Sequence, residues 1–124
     1  MTRRIQHVSV PRPRGPEAND RAVAFYEGIL GAQHVPCPET LVHLDITWFR
    51  WGDDEIHVFS VGQDEALPVQ GAHFCMAVDD IGTMRSHLAA AGVACHETDP
   101  IPGRPRFFIH DPFDNRIEIS QVGD

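Results

Sequence analysis

Four residues, His7, His57, His73 and Glu118, have the types and the spacing to bind a divalent metal. Imidazole nitrogen and carboxylate oxygen are the donors that borderline divalent ions prefer, and three nitrogens with one oxygen suit Fe(II), Ni(II), Zn(II) or Mn(II). The donor types do not choose among these ions. An ion held by four or fewer protein donors keeps positions open for water or for a substrate with two adjacent oxygens, and it acts there as a Lewis acid. The chain has eight histidines, and a lone histidine on a strand is most often a packing residue. Symmetry separates these four from the rest. Superposing Gly31 on Gly92 gives an offset of 61 residues, which carries His57 onto Glu118. His7 falls on His73 at an offset of 66, the difference lying in a proline-rich stretch where insertions are tolerated. Packing alone gives no reason for donors to recur at repeat-related positions.

The elements that must position these residues also repeat. Arg4 to Val10 reads as a strand, and the run from Pro11 to Pro16, with three prolines and a glycine, reads as a loop. Asn19 or Asp20 is placed to cap a helix in which Ala22, Phe25, Tyr26 and Ile29 fall on one face, ended by Gly31. Strands follow at Gln33 to Cys37, Leu44 to Trp51 and Ile56 to Val61. The second half repeats the order: strand His73 to Val78, then a helix capped by Asp79 or Asp80 that runs through Ile81, Met84, Leu88 and Ala91 to Gly92. Its strands lie near Val93 to Glu97, Arg106 to His110 and Arg116 to Gln121. The expected organisation is one α+β domain of two strand-helix-strand modules, about 4–61 and 73–121, joined by a linker over 62–72. Alternation along the strands sets His7, His57, His73 and Glu118 opposite the apolar residues that pack on the helices. If a curved sheet carries its helices outside, the four share the face that lines a cleft.

Composition closes several classes of function. At 124 residues the chain fits a single domain, and it has no apolar run of the ~18 residues that a membrane span needs. Its first residues lack the apolar core of a secretory signal, so a soluble, cytoplasmic protein is expected. The net charge of −8 disfavours nucleic acid and anionic membranes as partners. All ten basic residues are arginine, which removes Schiff-base lysine chemistry and the P-loop lysine. Cys37, Cys75 and Cys95 lack paired spacing and read as reduced thiols.

Several motifs carry a family resemblance: His7-Val8-Ser9-Val10, the helix end Phe25-Tyr26-Glu27-Gly28-Ile29-Leu30-Gly31, Gly71-Ala72-His73-Phe74, and Phe107 through Glu118 with its Asp111-Pro112 and Asn115-Arg116-Ile117-Glu118 elements. On these the chain resembles the vicinal oxygen chelate superfamily, which includes glyoxalase I, bleomycin-resistance proteins, fosfomycin-resistance transferases and extradiol dioxygenases. The resemblance implies two βαβββ modules in an incurved eight-stranded mixed sheet with helices outside, a homodimer, and one divalent metal held from the first and fourth strand of each module. Those positions are His7, His57, His73 and Glu118. It implies a metal-dependent enzyme acting on a small oxygenated molecule by lyase, isomerase or dioxygenase chemistry, with Glu118 as ligand or proton acceptor. The alternative it implies is a ligand-sequestering protein like the bleomycin-resistance proteins, without catalysis.

Two positions depart from the pattern. Asp114 stands where the family has a glycine, in a turn that a left-handed aspartate can keep. His57 stands where glyoxalase I members usually carry glutamate, which counts against glyoxalase I itself. His7, His73 and Glu118 would reproduce the two-histidine, one-carboxylate set that extradiol dioxygenases use for Fe(II), leaving His57 as a neighbour. A fosfomycin-type transferase would need a thiol-cosubstrate site and a potassium loop that the sequence does not display.

His110 reads as an exposed strand-end residue, and Arg104 and Arg106 as solvated charge, with neutralisation of an anionic substrate as the alternative. Trp48, Phe49, Trp51 and Phe59 read as core or dimer contact, with Phe49 and Phe59 the two that alternation could turn toward the cleft. Cys75, two residues from His73, reads as a small buried filler, and His34, His43, His87 and His96 as surface.

Overall fold

The computed structural model describes residues 4–62 and 72–121, so most of the expected linker lies outside the described residues. The chain divides into two units, 1–67 and 68–124, each with its own sheet. In the first unit, β1 (His7–Pro13) leads into α1 (Pro16–Tyr26), then β2 (Gln33–Val35), a 3-10 helix at Glu39–Leu44, β3 (Thr47–Trp51) and β4 (Asp54–Val61). The strand order is β1-β4-β3-β2, with β1 parallel to β4 and the other neighbours antiparallel. The second unit contains β5 (His73–Val78), α2 (Ile81–Ala90), β6 (Arg106–His110) and β7 (Arg116–Gln121), ordered β5-β7-β6. Here β5 runs parallel to β7, and β6 antiparallel to it. None of the described helices is long and apolar enough to cross a membrane.

The repeat read from the sequence is present in the registers. Ser9 pairs with His57 in the first unit and Cys75 pairs with Glu118 in the second. In each unit, therefore, the first-strand candidate sits two residues before the partner of the fourth-strand candidate, on the same face of its sheet. That face is turned from the helix. Tyr26 of α1 meets Phe49 at 5.3 Å between ring centroids, and Phe49 pairs with Ile56, which alternates with His57. Arg85 of α2 lies 4.5 Å over Phe107, which pairs with Ile119, the neighbour of Glu118. Phe25, Tyr26, Phe49, Ile56 and Val58 are buried in the first unit, and Met76, Leu88, Phe107, Ile109, Ile117 and Ile119 in the second.

Several elements differ from the sequence-based expectation. Among the described residues the two sheets have four and three strands, and the strand expected near Val93 to Glu97 forms only an isolated bridge, His96 with Phe108. The chain from there to β6 includes Pro100, Pro102 and Pro105, which remove ladder donors, and Gly103 at φ 74°. Leu44 belongs to the 3-10 helix, so β3 starts only at Thr47. Conversely, β1 continues through Pro11 to Pro13, which an edge strand accepts.

Helix α1 begins at Pro16, with Gly15 (φ 111°) in the capping position, so neither Asn19 nor Asp20 is the cap. Proline suits the first turn because its missing N–H would have had no helical partner. Asn19 instead accepts a hydrogen bond from the Thr47 hydroxyl at 2.8 Å. Asp80 does cap α2, its Oδ1 accepting from the Thr83 N–H at 3.0 Å.

Arg12, in the stretch expected to be a loop, is fully buried. Its Nε donates to Thr47 Oγ1 at 2.9 Å and its Nη2 to Asp45 Oδ1 at 2.9 Å, while Asp45 Oδ2 accepts from Gly15 N at 2.8 Å. The hydrogen bond from Arg12 holds the Asp45 carboxyl below its usual range. This network ties the end of β1, the start of α1 and the approach to β3 together.

Candidate metal and ligand site

Strand alternation and register bring the candidates together in pairs, one pair in each unit. In the first, the rings of His7 and His57 stack with centroids 4.4 Å apart and an interplanar angle of 22°. Trp48, which pairs with His57 across β3 and β4, covers the His57 ring at 3.6 Å. His7 Nδ1 donates to Gln6 Oε1 at 2.8 Å, which leaves Nε2 as the ring nitrogen with the lone pair. A donor hydrogen-bonded through its other nitrogen in this way is the usual state of a metal-binding histidine. His57 differs: its Nε2 donates to Glu55 Oε1 at 2.9 Å, its ring is enclosed by His7 and Trp48, and the residue is only 9% exposed. The hydrogen bond from His57 also holds the Glu55 carboxyl below its ordinary range.

In the second unit His73 Nε2 lies 3.3 Å from Glu118 Oε1. That separation suits two donors of one ion, since metal bonds of about 2.0–2.2 Å set adjacent ligand atoms roughly 3 Å apart. Glu118 is 3% exposed. Ser120 Oγ donates to its Oε2 at 2.6 Å, Arg106 Nη1 to its Oε1 at 3.2 Å, and the Cys75 thiol approaches Oε2 at 3.7 Å. Burial pushes the Glu118 carboxyl up, but the Ser120 hydroxyl and the Arg106 guanidinium outweigh it and hold the group ionised, below the usual range. Cys75 is exposed, not the buried filler expected of it, yet partial burial of its thiol, reinforced by the charge of Glu118, pushes that group up, so it faces the carboxylate as S–H.

The turn before β7 fixes Glu118 in register. Asp111 Oδ1 accepts from the N–H groups of Phe113 and Asn115, both at 2.8 Å, and Oδ2 accepts from Asn115 Nδ2 at 2.7 Å. Asp114 takes the left-handed conformation, φ 67°, that the sequence required of it.

Within the first unit His7 keeps a donor nitrogen, whereas Nε2 of His57 is already committed to Glu55, and within the second His73 and Glu118 offer a nitrogen and an oxygen of the types that divalent ions take. Among the described residues no three His, Cys, Asp or Glu side chains are gathered as a ready cage.

The family model of the glyoxalase/bleomycin resistance protein/dioxygenase superfamily matches residues 4–119. The chain belongs to this superfamily. A crystal structure of a glyoxalase family protein from Bacillus anthracis is 31% identical over 99% of this chain and 98% of that one, with a TM-score of 0.89. TnmS3, an antibiotic binding protein from Streptomyces, matches with a TM-score of 0.71 at 20% identity, covering 98% of each chain. The fosfomycin resistance protein FosX from Mesorhizobium loti matches with a TM-score of 0.69 at 17% identity, covering 99% of this chain and 94% of its own. At those lower identities the likeness is one of fold. A search of curated proteins gave no match.

The superfamily includes small-molecule-binding proteins, TnmS3 among them. The structure also brings in residues that the sequence reading left aside. Trp48 shares the His57 face, whereas Phe49, which alternation could have turned toward a cleft, packs under α1 on Tyr26. Glu55 was not singled out, although it stands two residues before His57 and so shares its face. Arg104 and Arg106, read first as solvated charge, both approach Glu118, at 3.7 and 3.2 Å. His110 is exposed and meets His96 edge-on at 5.2 Å.

Proposed function

We propose that the chain is a divalent-metal-dependent enzyme of this superfamily acting on a small oxygenated molecule, by lyase, isomerase or dioxygenase chemistry. The site comprises His7, His57, His73 and Glu118: His7, His73 and Glu118 supply the donors, and His57 is the ring that packs His7 in place. The observation that carries the reading is the buried, ionised Glu118 beside His73 Nε2 at 3.3 Å, with His7 and His57 at the repeat-equivalent positions. When bound, the ion would be Fe, Ni, Zn or Mn and would polarise paired substrate oxygens. The protein's own part is to hold Glu118 ionised through Ser120 and Arg106, to keep the Nε2 lone pair of His7 available through Gln6, and to shelter the carboxylate from water. The same reading takes the protein as a cytoplasmic homodimer, and the charge of −8 supports the absence of nucleic acid and membrane partners.

A second reading, ligand sequestration without catalysis, is favoured by one observation: Arg106 and Ser120 already satisfy the Glu118 oxygens without any ion. Activity screens on protein loaded with Fe(II), Ni(II), Zn(II) or Mn(II) distinguish the two. Oxygen uptake on catechols, or isomerisation of hemithioacetals, is expected for the enzyme. Tight small-molecule binding by metal-free protein, with no turnover under any metal, would establish sequestration instead.

A further inference from the structure

The face of the second sheet that carries Glu118 also carries arginines. Across β6 and β7, Arg106 is opposed to Ser120, Phe108 to Glu118 and His110 to Arg116, so these side chains share one face. Arg116 lies on the Phe108 ring, Cζ 3.7 Å from its centroid, and Arg106 approaches the same ring at 5.6 Å. Arg104, in the turn before β6, brings Nη2 to 3.7 Å from Glu118 Oε2. Two guanidiniums thus approach one carboxylate, with a third on the adjacent Phe108 ring, in a chain whose overall charge is −8.

These arginines are not equally occupied. Arg106 spends Nη1 on Glu118 and Nη2 on the Asp99 carbonyl at 2.8 Å, though its Nε is buried without a partner among the described residues. Arg104 is far less engaged, since its side chain is 44% exposed and its approach to Glu118 is longer than a hydrogen bond. A single exposed arginine is ordinarily solvated charge. Two beside one carboxylate, with Arg116 on the neighbouring ring, raise the local potential, which a bound anion would lower.

From this we infer that the small molecule taken up beside Glu118 carries a carboxylate, received by the planar edge of Arg104 in a two-pronged hydrogen bond. The inference rests on the ligand site proposed at Glu118, and it holds with or without an ion there. Arg104 is then a specificity-determining residue, and Arg106 remains the positioning residue for Glu118.

Calorimetric titration of the full chain with protocatechuate and its amide, and with glycolate and glycolamide, compares acids with uncharged molecules of the same size. At least one acid is expected to bind about ten-fold or more tightly than its amide, the scale of one charge-assisted hydrogen bond. R104Q brings that ratio close to one and R104K keeps part of it, with the melting temperature of both unchanged. Equal affinity for acid and amide, no binding by any of the four, or a preference undiminished in R104Q overturns the inference. Metal content of the same samples keeps the two readings apart. An acid preference in protein that takes up no metal leaves this inference standing without the metal, and metal uptake with no acid preference does the reverse.

Discussion

Glu118 stays ionised at 3% exposure because Ser120 and Arg106 oppose the cost of its burial. Only its partners make that burial tolerable, and they come from β6 and β7, whose register is set by the Asp111–Asn115 turn. Arg12 and Asp45 solve the same problem in the first unit, where the arginine is the fully buried partner. Asp45→Asn keeps a side chain that tolerates φ 58° and removes the charge, so it isolates the ionic part. At pH 7 the loss expected is about 1–2 kcal/mol in urea denaturation, discounted because the Asp45 side chain is a third exposed. The carboxyl of Asp45 is lowered in the folded state, so its contribution is complete above the unfolded value near 3.8 and disappears as pH falls through the folded one. The gap between wild type and variant should therefore narrow as pH falls below about 3.8 and close once the folded-state carboxyl is protonated. A gap that keeps its full size across the whole acid range would assign the loss to packing instead.

At the scale of elements, the sequence was most legible where one local rule acted alone. Asp80 precedes an apolar-periodic run and caps α2 as expected. Asp80→Ala should cost about 1 kcal/mol, read as a lower denaturation midpoint with unchanged slope. Loss confined to the slope would mean that the cap does not hold the helix. Where two rules competed, the weaker signal misled. Asn19 looked like a cap, but Pro16 after Gly15 starts α1 a turn earlier and frees the Asn19 side chain for Thr47. Proline at Pro11 and Pro13 suggested a loop, yet β1 is an edge strand and continues through both. The segment near Val93 to Glu97, read as a strand, forms one bridge only.

At the scale of the whole molecule, the duplication was readable because its consequences are periodic: equal helix-ending glycines, equal registers at Ser9–His57 and Cys75–Glu118, and candidate donors on the face away from each helix. The surroundings of those donors were not readable, because they depend on cross-strand partners. Trp48 over His57, Glu55 on its Nε2, and the arginines about Glu118 come from neighbouring strands or turns whose register no single segment reveals. His57, equivalent in the repeat to Glu118, is by its contacts the least available of the four as a donor. Metal analysis by plasma mass spectrometry, on wild type and on His7→Ala, His57→Ala, His73→Ala and Glu118→Ala after incubation with each candidate ion and desalting, tests the central claim most directly. The account predicts about one ion per chain in wild type and in His57→Ala, and loss in the other three. Metal content unchanged in His7→Ala and Glu118→Ala, or absent from the wild type under every ion, would contradict it.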